Sequence, residues 1–198
     1  FDFSKIDFGS KEHIHLFTEA KRLAYEDRAK YYADPDFAKI PVDALISKSY
    51  GKARAAMIDM HKPLTTVTAG DDQQLKGGET VYLTVADEEG NMVSLIQIEF
   101  AGCGVGMVPD SRGVFLPNRG YLFSLHTGQN NTFAPHKRPF HTIIPAFVTK
   151  DNEPYMSFGV MGGGFQPEGQ VEGLMNMIDF GMTVQEAGDA TRMAHRGS

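Results

Sequence analysis

Apolar positions recur at helical spacing over residues 10–32, where Ile14, Phe17, Ala20, Leu23, Ala24 and Tyr31 would line one face. Ser10 is placed to cap that helix, and Asp34-Pro35-Asp36 stops it. Residues 41–60 predict one or two short helices, with Pro41 at a start, then Val42, Leu45 and Ile46, then Ala53, Ala56 and Met57. Over residues 61–79 the period disappears and Pro, Thr, Gly and Asp dominate, which predicts a linker. From Thr80 the pattern becomes that of strands. Thr80–Asp87 and Met92–Phe100 predict a hairpin around Glu88-Glu89-Gly90-Asn91, with Gly90 or Asn91 taking positive φ. Gly102, Gly104 and Gly106 predict a bend. Val114-Phe115-Leu116, Thr142–Thr149 and Tyr155–Val160 predict further strands, the last two joined by Lys150-Asp151-Asn152-Glu153. Gly162-Gly163-Gly164 precedes a helix near 168–180, and Thr183 with Glu186 predicts a capping box opening another. Helices, then hairpins, then helices, without internal repeat, is an α+β layout with antiparallel sheet.

Composition narrows the class. The 198 residues are 41% hydrophobic and 22% charged, enough to bury a core. The net charge of −6 argues against nucleic acid as a partner, which calls for a basic face. No apolar run approaches the roughly 18 residues of a membrane span. Phe1-Asp2-Phe3-Ser4-Lys5 lacks the pattern of a signal peptide, and the compartment stays open between periplasm and cytoplasm. Cys103 stands alone, so an internal disulfide is excluded, and among glycines it reads as a packed residue. No spaced Cys/His set suggests zinc, and His13 and His15 fall on different helix faces, so no metal or other cofactor is expected.

Candidate chemistry concentrates at Gly77-Gly78-Glu79-Thr80, where a flexible loop runs into a strand. The glycines would let the Thr80 hydroxyl reach the Glu79 carbonyl. If that bond breaks, Thr80 becomes a new N-terminus whose α-amino group can serve as general base for its own hydroxyl. A plain surface loop entering a strand would have the same sequence. The accessible linker before it is what a cleavable segment requires.

Several ordered pieces decide between these readings: Ala20-Lys21 through Glu26-Asp27-Arg28, Tyr32-Ala33-Asp34-Pro35-Asp36-Phe37, Gly78-Glu79-Thr80-Val81, Asp87-Glu88-Glu89-Gly90-Asn91, Lys137-Arg138-Pro139, Ile144-Pro145, Met161-Gly162-Gly163 and Ile178-Asp179-Phe180-Gly181. In their order and spacing the chain resembles the gamma-glutamyltransferase family of N-terminal-nucleophile hydrolases, from about Phe8 to Ser198. The resemblance implies part of a layered αββα sandwich and a precursor that cleaves itself in two. Residues 1–79 would end the large subunit, and residues 80–198 would form most of the small one. The implied partners are the remainder of the large subunit in a heterodimer, a possible higher oligomer, and a small-molecule amide substrate.

By the same resemblance Thr80 is the nucleophile, and Gly162 and Gly163 are the oxyanion-hole pair. Glycine suits that role because its N–H can approach a substrate closely. The donor pocket departs from the family. The hydroxyl pair for the donor carboxylate reads His141-Thr142, and His141 could supply a donor or a positive charge. Counting from Asn118, the glutamine position reads Arg119 and the acid for the donor ammonium reads Leu122. The hydroxyl supporting the nucleophile falls on Ile98 and the neighbouring amide on Glu99 or Phe100, with Glu99 or Gln97 serving if the register slips. Arg119, His136, Lys137 and Arg138 form a basic set, either a solvated cluster or a receptor for an anionic substrate. The resulting expectation is a threonine-nucleophile hydrolase or acyltransferase for γ-glutamyl compounds such as glutathione or for glutaryl-type amides. The competing expectation is an unprocessed or truncated homologue that only folds and associates.

Overall fold

The computed structural model describes residues 1–65 and 80–195. The order of helices and strands is α1 (Lys11–Tyr31), α2 (Val42–Leu45), α3 (Lys48–Ala55), β1 (Thr80–Ala86), β2 (Met92–Ile98), β3 (Ala146–Lys150), β4 (Glu153–Phe158), α4 (Gln166–Ile178) and α5 (Val184–Asp189). The described residues fall into two compact units. One comprises 1–65, 123–140 and 173–195; the other comprises 80–122 and 141–172.

In the first unit, α1 starts where Ser10 accepts the His13 N–H at 3.2 Å, as an N-cap hydroxyl should. Its buried face differs from the expected one. Leu16, Phe17 and Leu23 are in the core, but Ile14, Ala20 and Ala24 face outward, and His13, Glu19 and Lys21 are buried instead. Each of these polar residues has a partner that sequence periodicity cannot reveal. Glu19 accepts from the Leu64 N–H at 2.7 Å and from Arg22 at 2.8 Å, Lys21 donates to the His195 carbonyl at 3.1 Å, and His13 accepts the Gly9 N–H at 3.1 Å. His13 also meets the Phe180 ring at 5.0 Å, beside Phe3 and Phe8. Desolvation holds its imidazole below the ordinary value. Arg54 of α3 closes the helices together by donating to the Leu23 carbonyl, Glu26 and Asp27. Asp34, just past α1, accepts from the Arg138 backbone N–H at 2.8 Å and from its guanidinium at 2.6 Å. The expected capping box at the head of α5 is present, with Thr183 and Glu186 each accepting from the other's N–H.

The second unit is built on two antiparallel hairpins. β1 pairs with β2 from Thr80↔Ile98 to Ala86↔Met92. The turn is set by Asp87, whose carboxylate accepts from the N–H groups of Glu89 and Asn91 and from the Asn91 amide, while Gly90 takes φ +82°. β2 ends before Phe100, which adopts φ +84° and leaves the ladder. β3 and β4 pair with one irregularity at Val148/Thr149, and Asp151 and Asn152 take positive φ in the joining turn. β3 is shorter than the sequence pattern predicts, with residues 142–145 outside it, and β4 keeps the expected length but starts and ends two residues earlier. Val114–Leu116 is no strand. It is tied only locally, through Val105 N–H to the Leu116 carbonyl and Leu116 N–H to the Met107 carbonyl.

The alternation of β1 and β2 gives the hairpin two unlike faces. Thr80, Tyr82, Thr84, Ser94 and Ile96 share one; Val81, Leu83, Val85, Val93 and Leu95 share the other and are exposed. The Thr80 face receives the second hairpin. Thr84 shares a hydrogen bond with Ser157, and Ser94 donates to the Phe158 carbonyl at 3.3 Å. The Tyr82 ring lies so close to Gly159 that a Cβ there would stand 2.6 Å from it, so Gly159 lets the two hairpins meet. α4 starts just beyond that contact, with Pro167 in its first turn, where a missing N–H costs nothing.

Candidate active site

Thr80 is the first residue of β1, and it is 8% exposed. Its hydroxyl is buried and has no hydrogen-bond partner among the described residues. A buried threonine hydroxyl ordinarily finds an acceptor, so an unused one points to a task other than packing. Gly77, Gly78 and Glu79, the other half of the expected motif, lie outside the described residues.

Two lines of contact tie other candidate residues to this strand. The first passes through Tyr82, on the Thr80 face, to Gly159 and along the chain to Gly162 and Gly163. Gly162 takes φ +136° and Gly163 takes φ +58°, conformations that L side chains rarely adopt. Gly163 opens a short 3-10 turn that leads directly into α4, so N–H groups at a positive helix end are presented there. Gln166, the first residue of α4, is fully buried and neither end of its amide has a partner among the described residues. It was not singled out from the sequence, where nothing distinguishes it from a surface residue of an amphipathic helix.

The second line runs along β2. Ile98 is the direct partner of Thr80, so the position expected to support the nucleophile stands opposite it but offers no hydroxyl. Glu99 and Phe100 follow. The Glu99 carbonyl accepts the Asn118 N–H at 3.2 Å, and the buried Phe100 ring carries the Arg119 guanidinium 4.9 Å above its centre. Arg119, only 6% exposed, donates to the Thr142 hydroxyl at 3.0 Å. Arg119 and Thr142 are therefore brought together, with His141 beside them.

Two expectations change in this geometry. The positive charge considered for His141 is disfavoured. Desolvation and then the neighbouring Arg119 charge both lower its pKa, and its Nδ1 accepts the Ile143 N–H at 3.3 Å, leaving Nε2 as a neutral donor. The amide of Asn118, expected at the substrate, is used to brace the glycine bend. It accepts from Ala101 N–H at 3.0 Å and donates to the carbonyls of Ala101 at 3.0 Å and Gly104 at 3.1 Å. Gly104 cannot be replaced there, because a Cβ would clash with the backbone carbonyl of Leu116.

The basic set also divides. Lys137 donates to the carbonyls of Asn130 and Thr132, and Arg138 to Asp34 and Asp36, all in the first unit. Arg119 alone of these three belongs to the unit that holds Thr80. Among the described residues no group of three or more His, Cys, Asp or Glu side chains is placed to hold a metal ion, and no helix is long and apolar enough to cross a membrane.

The chain matches the family model described as gamma-glutamyltranspeptidase over residues 1–198. It is 36% identical to the glutathione hydrolase-like YwrD proenzyme of Bacillus subtilis, covering 94% of this chain and 34% of that protein. It is 35% identical to the acylase ACY 1 proenzyme of Pseudomonas sp. strain SE83, covering 100% of this chain and 35% of that protein. Among solved structures it resembles the cephalosporin acylase of Bacillus halodurans, with a TM-score of 0.79 and 39% identity over 96% of this chain and 34% of the other. A gamma-glutamyltranspeptidase of Helicobacter pylori matches with a TM-score of 0.53 and 29% identity, over 58% of this chain and 67% of that one. The chain thus spans about a third of the length of the curated relatives it matches. Its mixed α+β fold is that of the N-terminal-nucleophile hydrolases, and the chain belongs to the gamma-glutamyltranspeptidase family.

Proposed function

We propose that Thr80 is the nucleophile of an amide hydrolase or acyltransferase that forms when the longer protein cleaves itself between Glu79 and Thr80. The observation that carries this reading is the buried Thr80 hydroxyl at the first residue of β1, which has no hydrogen-bond partner among the described residues. In the precursor the hydroxyl attacks the Glu79 carbonyl carbon, and the peptide C–N bond gives way to an ester. That step frees the Thr80 α-amino group, and water then hydrolyses the ester, releasing the Glu79 carboxylate and restoring the Thr80 hydroxyl. In the mature enzyme that amine takes the hydroxyl proton as Thr80 attacks a substrate amide. The N–H groups of Gly162 and Gly163 receive the oxyanion, and the amine leaves with the proton. Water, or an acceptor amine, resolves the acyl ester. The substrates are γ-glutamyl compounds such as glutathione or the related glutaryl-type amides. Residues 1–79 and the rest of the large subunit are the partner of the small one.

The test is the mass of the purified full-length protein. Wild type and Thr80→Ser should give two chains, the smaller beginning at residue 80, and Thr80→Ala should give one. Cleavage of the Ala variant would place the nucleophile elsewhere, and an intact wild-type chain would favour a homologue that only folds and associates.

A further inference from the structure

We infer that, once the chain is cut between Glu79 and Thr80, Phe3, Phe8 and His13 of the first product close around Phe180 of the second, and that acid opens this clasp at His13. The inference rests on the cleavage proposed above and adds one place where the products hold each other and what loosens it. The first unit draws its described residues from both sides of the cut, 1–65 from one and 123–140 with 173–195 from the other. The Phe180 ring stands 6.1 Å from Phe3, 5.5 Å from Phe8 and 5.0 Å from His13, edge to face with each. Such ring pairs add to the apolar area they bury, so one side chain of the second product anchors three of the first.

His13 fits this clasp while it is neutral, and three features oppose a proton on its ring. It is 3% exposed, so charging it costs solvation. Its Nδ1 accepts the Gly9 N–H at 3.1 Å, and protonation would set a donor against that donor. It lies in the first turn of α1, three residues after the Ser10 cap, where the helix presents its positive end. The charged groups on the segments around it are Asp2, Lys5 and Asp7 before α1, Lys11 and Glu12 on α1, and Asp179 beside Phe180. Asp2 pairs with Lys5 at 3.0 Å and Glu12 with Lys11 at 3.6 Å, and burial is the one influence on the imidazole. Because burial lowers the pKa of the closed form, the clasp is favoured above the ordinary histidine value of 6.5 and weakens as pH falls below it. The Asp34–Arg138 pair, which spans the same cut, stays ionised well below that range and continues to hold the products together.

The experiment is hydrogen exchange on the purified full-length protein, whose chains are first weighed to establish cleavage, with rates corrected for the effect of pH on free amides. From pH 7.5 to pH 5.5, opening of residues 3–13 should rise about three- to tenfold in wild type. His13→Gln keeps an acceptor at that helix position without a titrating group, and should flatten the response. Phe180→Ala should raise opening already at pH 7.5 and flatten the response too, because His13 is then solvated. No response in wild type, or one that survives in His13→Gln, overturns the opening by acid. Unchanged exchange of residues 3–13 in Phe180→Ala overturns the clasp. A single uncut chain contradicts the cleavage at Thr80. In that protein an acid response abolished by His13→Gln still supports the clasp, as a contact within one chain, and absence of the response removes it.

Discussion

Arg138 and Arg119 are both held by the fold, but in opposite ways. Arg138, in the first unit, keeps a largely exposed side chain and ends on two carboxylates, Asp34 at 2.6 Å and Asp36 at 2.7 Å. Arg119, in the second, is buried and ends on a hydroxyl, with one nitrogen unused. The first arrangement fastens the chain after α1 to residue 138 and is complete. The second is incomplete in the same unit where the Thr80 hydroxyl and the Gln166 amide also lack partners among the described residues. Substitutions on the complete side should change stability, and substitutions on the incomplete side should change turnover.

The largest effect should come from Thr80→Ala, which removes the oxygen that forms the acyl ester. Hydrolysis of a glutaryl or γ-glutamyl anilide by the full-length protein should fall about 10⁴-fold or more, a loss typical of deleting a nucleophile. Gly163→Val should follow, lowering kcat about 10²-fold. A Cβ at Gly163 would meet nothing within 4 Å, so the damage would come from the φ of +58° and a displaced N–H rather than from a clash. Normal turnover by that variant would remove Gly163 from the oxyanion site.

On the complete side, Asp34→Asn should lower the melting temperature at pH 7 and leave hydrolysis of a glutaryl or γ-glutamyl anilide in place. Hydrogen bonds from the Arg138 side chain and backbone hold the Asp34 carboxyl well below the usual carboxylate range. A depressed folded-state pKa stabilises above the unfolded value, near 4, and the gain is lost as pH falls below it. Wild type should therefore lose more melting temperature than Asp34→Asn between about pH 5 and pH 3. The smallest effect is expected for Thr183→Ala, which removes one half of the capping box on α5. About 1 kcal/mol of stability, or roughly 2–4 °C, should disappear, measured by thermal unfolding.

What could be read from the sequence was local. Ser10 and Thr183 with Glu186 each announce an element boundary through a side chain acting on a neighbouring N–H, and both are found in place, as is the Glu88–Asn91 turn with Gly90 at positive φ. The positive φ of Gly90, Gly102, Gly104 and Gly106 follows from glycine in the same way. Short apolar runs were less informative. Val114–Leu116 has strand composition but no strand partner beyond two backbone bonds, and composition alone does not supply a ladder. The buried face of α1 escaped the helical period because Glu19 and Lys21 are satisfied by Leu64 and His195, far along the chain. The same limit applied at the site. Thr80, Gly162, Gly163 and the Arg119 position stand out in the sequence through its resemblance to the family. That Arg119 meets Thr142, that Asn118 braces a loop, and that Gln166 is buried depend on contacts between distant segments.

The central claim is that Thr80 becomes an N-terminal nucleophile. The most direct measurement treats the full-length protein with an electrophilic glutaryl analogue, digests it and weighs the labelled peptide. The account predicts one adduct, on a peptide that begins at Thr80 with a free α-amino group. A label on another side chain such as Cys103, or on a peptide that reads unbroken through Glu79–Thr80, would contradict it.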